Sequence, residues 1–311
     1  MSTSPLGRVV EIAENGRHLA REDGFLVIHA GQQELGRIAL DDIIAVIATA
    51  PGTSTSCAAL AELSARGIPF VICGRNFLPA SIVWPIVGHH AQQRRMECQL
   101  DASLPLKKRL WAMLIAAKIR HQGIVLAAQG QPADVFTALA RSVRSGDPEN
   151  IEAQAARRYW PALLGADFRR DQDAGGTNAM LNYGYTVLRA GVARAIVAAG
   201  LHPGLGIFHR HPHNPMPLAD DLMEPFRPFV DRLVLRLLRD KPAAMNPAGK
   251  RQLVTVLNLD LPTRSGMSPL STCLNRLAAS LGESFLSGVA DLDLPLPFTA
   301  LAEEADDGAD S

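Results

Sequence analysis

Up to about residue 88 the chain sets short Val- and Ile-rich runs between turn residues. RVVEI, GFLVIHA, ELGRIAL, IIAVIAT and IPFVICG are bounded by Gly, Asn or Asp, which is the pattern of short strands. AENGR and REDG supply the chemistry of tight connectors. One helix interrupts the strands. STSCAALAELSARG opens on Ser and Thr able to cap, carries Leu60 and Leu63 on one face, and stops at Gly67.

The period changes after ASIVWPIVGHH. From about Ala91 onward apolar residues recur at helical spacing. QQRRMECQLDASLPLKKRLWAMLIAAKIRHQGIVLAAQ predicts two helices broken near Pro105. PADVFTALARSVR, DPENIEAQAARRYWPALLG and NAMLNYGYTVLRAGVARAIVAAG predict three more, the last ending at Gly200. LMEPFRPFVDRLVLRLLRDK is amphipathic after its prolines, and SPLSTCLNRLAASLGESFL closes the ordered part. No repeat of fixed period is present. The expected fold is α+β, with a β-rich N-terminal domain over 1–88 and an all-α C-terminal domain over 89–300 that carries the active site. Residues 301–311 hold Glu303, Glu304, Asp306, Asp307 and Asp310 and predict a disordered acidic tail.

Composition narrows the classes. The 311 residues are 47% hydrophobic, enough for a sizeable core and two domains. Lys+Arg and Asp+Glu balance at 31 each, so no global field steers the chain onto a polyanion and any nucleic-acid binding rests on local patches. Cys57, Cys73, Cys98 and Cys273 form no CxxC pair and predict apolar burial rather than zinc. The N-terminus lacks a basic segment followed by an apolar run, and no stretch is read as long enough to cross a bilayer. The expectation is a cytoplasmic protein with no membrane partner.

Candidate chemistry concentrates in two stretches. HRHPHNPMPLADDLMEPFRP, residues 209–228, holds three histidines, three aspartate or glutamate side chains and five prolines. Asp221 and Glu224 are three apart, the spacing of a capping box but also of two carboxylates on one helix face. Pro225 favours a helix that starts late, with both acids at its mouth. His209, His211 and His213 alternate as on a strand, but Pro212 and Pro215 argue against one, leaving His211 and His213 as loop residues. In GDPENIEAQAARRYW, Asp147 is the expected cap, Pro148 the first helical residue, and Glu149 a first-turn acid that suits the helix dipole. Glu152 then lies one turn in, near an apolar face. A carboxylate there needs a partner, either Arg157 and Arg158 or a metal. The helical half is also rich in arginine and lysine, Lys118 among them. Most are ordinary solvated faces, but carboxylates and a histidine among cations also suit a site where a metal meets a phosphodiester.

The succession SGDPENIEAQAARRYW, then GTNAMLNYGYTVLRAGVARAIVAAGLHPGLGIFH, then PLADDLMEPFRPFVD resembles the CRISPR-associated integrase family Cas1, most of all its type II members; KIRHQ from Lys118 is similar too. The resemblance implies a metal-dependent DNA integrase and endonuclease that inserts protospacer DNA into a CRISPR array, by attack of a DNA 3′-hydroxyl on a phosphodiester at the repeat. It places the metal ligands on Glu152, His209 and Glu224, with Asp221 beside them as a second ligand or an orienting group. Asn178, Tyr183 and Tyr185 match a family stretch, although core packing with a hydrogen-bonded hydroxyl is the favoured account of the tyrosines. Arg157, Arg158, Arg189 and Arg227 are the DNA-binding candidates. Mg2+ or Mn2+ is the implied cofactor. The implied partners are double-stranded DNA, a second copy through the β-domain, and a small Cas2 dimer in a hetero-hexamer, with the RNA-guided effector nuclease as a further candidate. Two other readings use the same residues: a metal-dependent DNase for branched DNA, and a DNA-binding scaffold whose acids only cap helices and pair with arginines.

Overall fold

A computed structural model of the chain describes residues 8–74, 79–83, 85–86, 89–209, 211, 213–240 and 246–297. The acidic tail and the expected domain boundary at residue 88 lie outside them. The N-terminal part runs β1 (Arg8–Ile12), β2 (Arg17–Glu22), β3 (Phe25–Ala30), β4 (Gln33–Ala39), β5 (Ile43–Ala48), the two-residue β6 (Ser54–Thr55), α1 (Cys57–Ala65), β7 (Phe70–Cys73) and β8 (Pro79–Val83). These strands make two four-stranded sheets, in the orders β1-β5-β7-β8 and β4-β3-β2-β6. In the first, β1, β5 and β7 run parallel and β8 antiparallel.

The local chemistry accounts for these elements. Asp23 and Gly24 both have positive φ, 44° and 85°, in the two-residue turn that joins β2 to β3. Left-handed backbone at both central positions matches the twist of a hairpin, and Asp-Gly tolerates it. Ser56 caps α1 by accepting the Ala59 N–H. RHLARE was legible only as the segment between two connectors. As β2 it buries Leu19 alone, so it lacks the apolar alternation that marks a strand.

β5 is buried along its whole length. Ile43, Val46 and Ala48 join the core enclosed by the two sheets and α1, while Ile44, Ala45 and Ile47 join the core of the helical part. An unbroken apolar run is what a strand covered on both faces requires. β5 is therefore the seam of the molecule.

The helical part comprises α2 (Gln92–Asp101), α3 (Leu104–Ala127), α4 (Asp134–Ser142), α5 (Ile151–Leu164), α6 (Thr177–Ala198), α7 (Pro217–Met223), a 3-10 turn (Glu224–Phe226), α8 (Arg227–Asp240), α9 (Pro247–Val254), the hairpin β9 (Asp260–Thr263) and β10 (Gly266–Pro269), and α10 (Leu270–Ser287). The α+β class stands, but the helical part carries the β9–β10 hairpin and is not all-α. One expectation about membranes also fails. α3 is long and apolar enough to cross a bilayer by length and composition, yet 72% of its most apolar window is buried against the rest of the protein. It is the core helix of the site.

α6 lies at the centre and packs against α7, α8, α9, α10 and β5. Its approach to α8 depends on Gly184, where an added Cβ would run into the Val230 side chain. Gly184→Ala is expected to destabilise the protein by about 1–3 kcal/mol through overpacking, and Val230→Ala in the same chain to recover part of that loss. Urea unfolding of the single and double variants measures both.

Candidate active site

The site is assembled from α3, α5, the loop before α7 and the junction of α7 with α8. α5 begins later than expected, at Ile151. Asn150 is its cap, in the left-handed region at φ 53°, with its side chain accepting the Ala153 N–H. Asp147 still serves the helix from outside, since its carboxylate accepts the Ile151 N–H at 2.8 Å and the Glu152 N–H at 3.0 Å. Glu152 therefore sits in the first turn, where the helix dipole favours an anion. Glu149 lies before the helix and pairs with Arg144.

The prolines act differently from the late helix start expected of them. α7 starts at Pro217, so Asp221 lies inside it and not at its mouth. Pro225 has no N–H to continue the ladder, and the chain tightens into the 3-10 turn that opens on Glu224. His121 of α3 braces this turn from below. Burial pushes its imidazole down to about 4, and the neutral ring donates Nδ1–H to the Pro225 carbonyl at 2.8 Å.

Glu152 and Glu224 converge on Lys118 of α3. The ammonium Nζ is 2.6 Å from Glu152 Oε1 and 2.6 Å from Glu224 Oε2. The partner of Glu152 is thus Lys118; Arg157 and Arg158 are exposed on another part of α5, with Arg158 turned to the Gln154 carbonyl. Glu224 is buried, and its Oε1 accepts from Arg227 Nε at 2.8 Å. Burial alone would raise the Glu224 carboxyl, but Arg227 and Lys118 hold it well below the usual carboxylate range. Burial likewise pulls the Lys118 ammonium down, and Glu224 and Glu152 more than reverse it.

Asp221 does another job. It is fully buried. Oδ2 accepts the N–H groups of Ile207 at 2.6 Å and Phe208 at 3.0 Å, and Oδ1 accepts the His209 N–H at 3.2 Å and faces His209 Nδ1 at 2.6 Å. One carboxylate therefore shapes the loop and orients the imidazole, leaving Nε2 outward. Trp111 of α3 finishes the mount. Its ring stacks on Phe208 at 4.2 Å and meets His209 edge-on at 5.4 Å. Donating a hydrogen bond to Asp221 raises the His209 imidazole above its ordinary value, against the opposing effect of burial.

The remaining candidates fall beside the site or away from it. His209 opens on a cleft of about 510 Å³ whose lining includes Arg170, Tyr185, Arg189 and Arg227 but neither Glu152 nor Glu224. Tyr185 and Tyr159 both donate to the buried Asp231, and Arg227 lies over the Tyr185 ring at 4.7 Å. Tyr185 is thus the floor under the arginine that holds Glu224. Tyr183 instead faces Lys250 at the seam with β1, where Lys250 pairs with Glu11 at 2.7 Å. Asn178 ties the loop before α6 by accepting from Arg170 and from the Asp171 N–H. Arg189 is bound in an ion pair to Asp220 at 2.8 Å. His211 and His213 sit in the loop, as expected, with their rings near each other. Among the described residues no three His, Cys, Asp or Glu side chains stand close enough to hold one metal ion together. The structure brings together two pairs, Glu152 with Glu224 and His209 with Asp221.

A family profile described as "CRISPR associated protein Cas1" matches residues 10–247. The chain belongs to the Cas1 family. It is 35% identical over 284 residues to the CRISPR-associated endonuclease Cas1 of Neisseria meningitidis, covering 90% of this chain and 91% of that one. Among solved structures the fold is similar to a casposase bound to integration product, with TM-score 0.77, 22% identity and 92% of each chain covered. It is also similar to a Cas6-RT-Cas1–Cas2 complex, with TM-score 0.76 and 17% identity over 96% of this chain and 37% of that one.

Two residues of this Cas1 site were not singled out from sequence, Lys118 as the bridge and Trp111 as the platform. A signal for Lys118 was present. Leu110, Trp111, Leu114, Ile115, Ile119 and Gln122 define the buried face of α3, and Lys118 falls on that face by spacing. A lysine there is costly unless paired, which predicts acidic partners without naming them. For Asp221, removal of one fully hydrogen-bonded buried carboxylate is expected to cost about 3–5 kcal/mol, seen as an Asp221→Ala shift in urea unfolding. The imidazolium contact with Asp221 contributes in full below the ordinary imidazole value and is lost as pH rises through the raised one. NMR titration of His209 is expected to fall back toward the ordinary value in Asp221→Asn.

Proposed function

We propose that this chain is a metal-dependent DNA integrase and endonuclease that inserts protospacer DNA into a CRISPR array. The observation that carries the reading is the convergence of Glu152 and Glu224, from separate elements, on one cationic atom at 2.6 Å each. Two carboxylate oxygens already arranged around a cation fit a divalent ion, and His209 stands near enough to lower the Glu224 carboxyl further. Glu152 and Glu224 would hold the metal, and His209, which does not reach the same point in this arrangement, would have to close on it to serve as the third donor. Oxygen donors suit Mg2+, and the imidazole shifts the set toward Mn2+. When bound, the ion supplies Lewis-acid polarisation of the phosphodiester and charge stabilisation at its oxygens.

The residues of the chain do the rest. Asp221 holds His209 in one ring orientation through Nδ1. Arg227, over Tyr185, keeps Glu224 ionised and aimed. His121 and Asp221 fix the backbone on which Glu224 and His209 stand. In strand transfer the nucleophile is a DNA 3′-hydroxyl and the departing group is the 3′-oxygen of the target strand, so no covalent enzyme intermediate is required. With water as nucleophile the same centre cuts DNA, in line with the endonuclease name of the Neisseria relative.

Double-stranded DNA and a Cas2 partner are supported by the product-bound casposase and the Cas1–Cas2 assembly whose folds this chain shares. Dimerisation through the β-domain and a cytoplasmic location complete the reading. Arg157 and Arg158, exposed on α5, are the surface residues proposed to meet the DNA backbone.

Joining of a 3′-hydroxyl duplex to a repeat-bearing plasmid tests the reading. Glu152→Ala, His209→Ala and Glu224→Ala are each expected to abolish Mn2+-dependent joining while gel-shift binding of DNA persists. Full joining by all three variants refutes the metal site. Cleavage without joining in the wild type, with Cas2 present, favours the DNase alternative.

A further inference from the structure

We infer that Lys118 is the resident counter-cation of the metal site, holding Glu152 and Glu224 in place without metal and giving up that position when a divalent ion binds. The inference rests on the metal-site reading above and adds a residue that acts on it. Its geometric basis is the position of Nζ, 2.6 Å from an oxygen of each carboxylate, where a shared cation would lie. Glu224 supplies the second observation. Its Oε1 is taken by Arg227, whereas the buried Oε2 faces the Lys118 ammonium at 2.6 Å. An oxygen in that state is available to a metal as soon as the ammonium leaves.

The charges give the exchange a consequence. Glu152 and Glu224 are balanced by Lys118 and Arg227, so the metal-free cluster is neutral. A divalent ion entering while Lys118 withdraws only to the edge of the cluster leaves a surplus of positive charge. Such a surplus attracts a phosphodiester. Lys118, freed from the carboxylates, then has three N–H donors for phosphate oxygens. The site therefore draws the phosphate into the centre only once it is loaded with metal. Lys118 is a positioning residue in the metal-free state and a contact to DNA afterwards.

The experiment is Mn2+ titration of the 311-residue chain by electron paramagnetic resonance, with thermal melting in chelator and in Mn2+. Lys118→Met is expected to bind Mn2+ roughly tenfold more tightly or better, to melt lower than wild type in chelator, and to gain more from Mn2+ than wild type does. Equal or weaker Mn2+ binding by Lys118→Met overturns the inference and leaves the metal-site reading standing. Absence of Mn2+ binding by the wild type removes both.

A second measurement on the unaltered chain covers the case in which the variant does not fold. Acylation of Lys118 by acetic anhydride, followed by mass spectrometry, is expected to rise severalfold on Mn2+ addition as the ammonium is released. Unchanged or reduced labelling means that Lys118 stays between the carboxylates, and overturns the exchange.

Discussion

Two ionised carboxylates held side by side in a protein repel each other unless a cation lies between them or one takes up a proton. Glu152 and Glu224 each lie 2.6 Å from Lys118 Nζ, which sets their oxygens no more than about 5 Å apart. At an effective dielectric of 20 their mutual repulsion is on the order of 3 kcal/mol. The rest of the site depends on meeting that constraint. α3 supplies the lysine from its buried face, α8 supplies Arg227 to the other oxygen of Glu224, and the Tyr185 ring lies beneath Arg227.

The acids of the site divide two tasks that look alike in sequence. Glu224 gives both oxygens to cationic side chains, Lys118 and Arg227, whereas Asp221 spends both on the loop from Ile207 to His209. A carboxylate that accepts three backbone N–H groups is a structural anchor, and orienting a histidine through its other nitrogen is what such anchors do beside metals. Pro225 separates the two roles. By breaking the ladder after α7, it turns Glu224 out of register with Asp221 and lets them face different partners.

Most of the fold was legible. Alternating or continuous Val and Ile runs gave β1, β3, β4, β5 and β7, cap residues bounded α1, and Gly200 marked the end of α6. β2 and the β9–β10 hairpin were not, because RHLARE and the segment around Gly266 bury too few apolar side chains to alternate. The helix start at Ile151 was missed because Asn150 takes a left-handed conformation that only local hydrogen bonding decides. α3 illustrates the same limit: length and composition do not separate a membrane span from a core helix, whereas packing partners do.

By itself the sequence determined the α+β class, the family and the identities of the acidic and imidazole side chains, since these follow from local periodicity and from motifs read in order. Only the tertiary structure decided which of them meet. Glu152 could have paired with Arg157 and Arg158 on its own helix, and Asp221 could have stood beside Glu224 as an equal. The fold paired Glu152 and Glu224 through Lys118 and gave Asp221 to the His209 loop, because contacts between distant segments are set by the packing of α3, α5 and α7 and have no signature in the spacing along the chain.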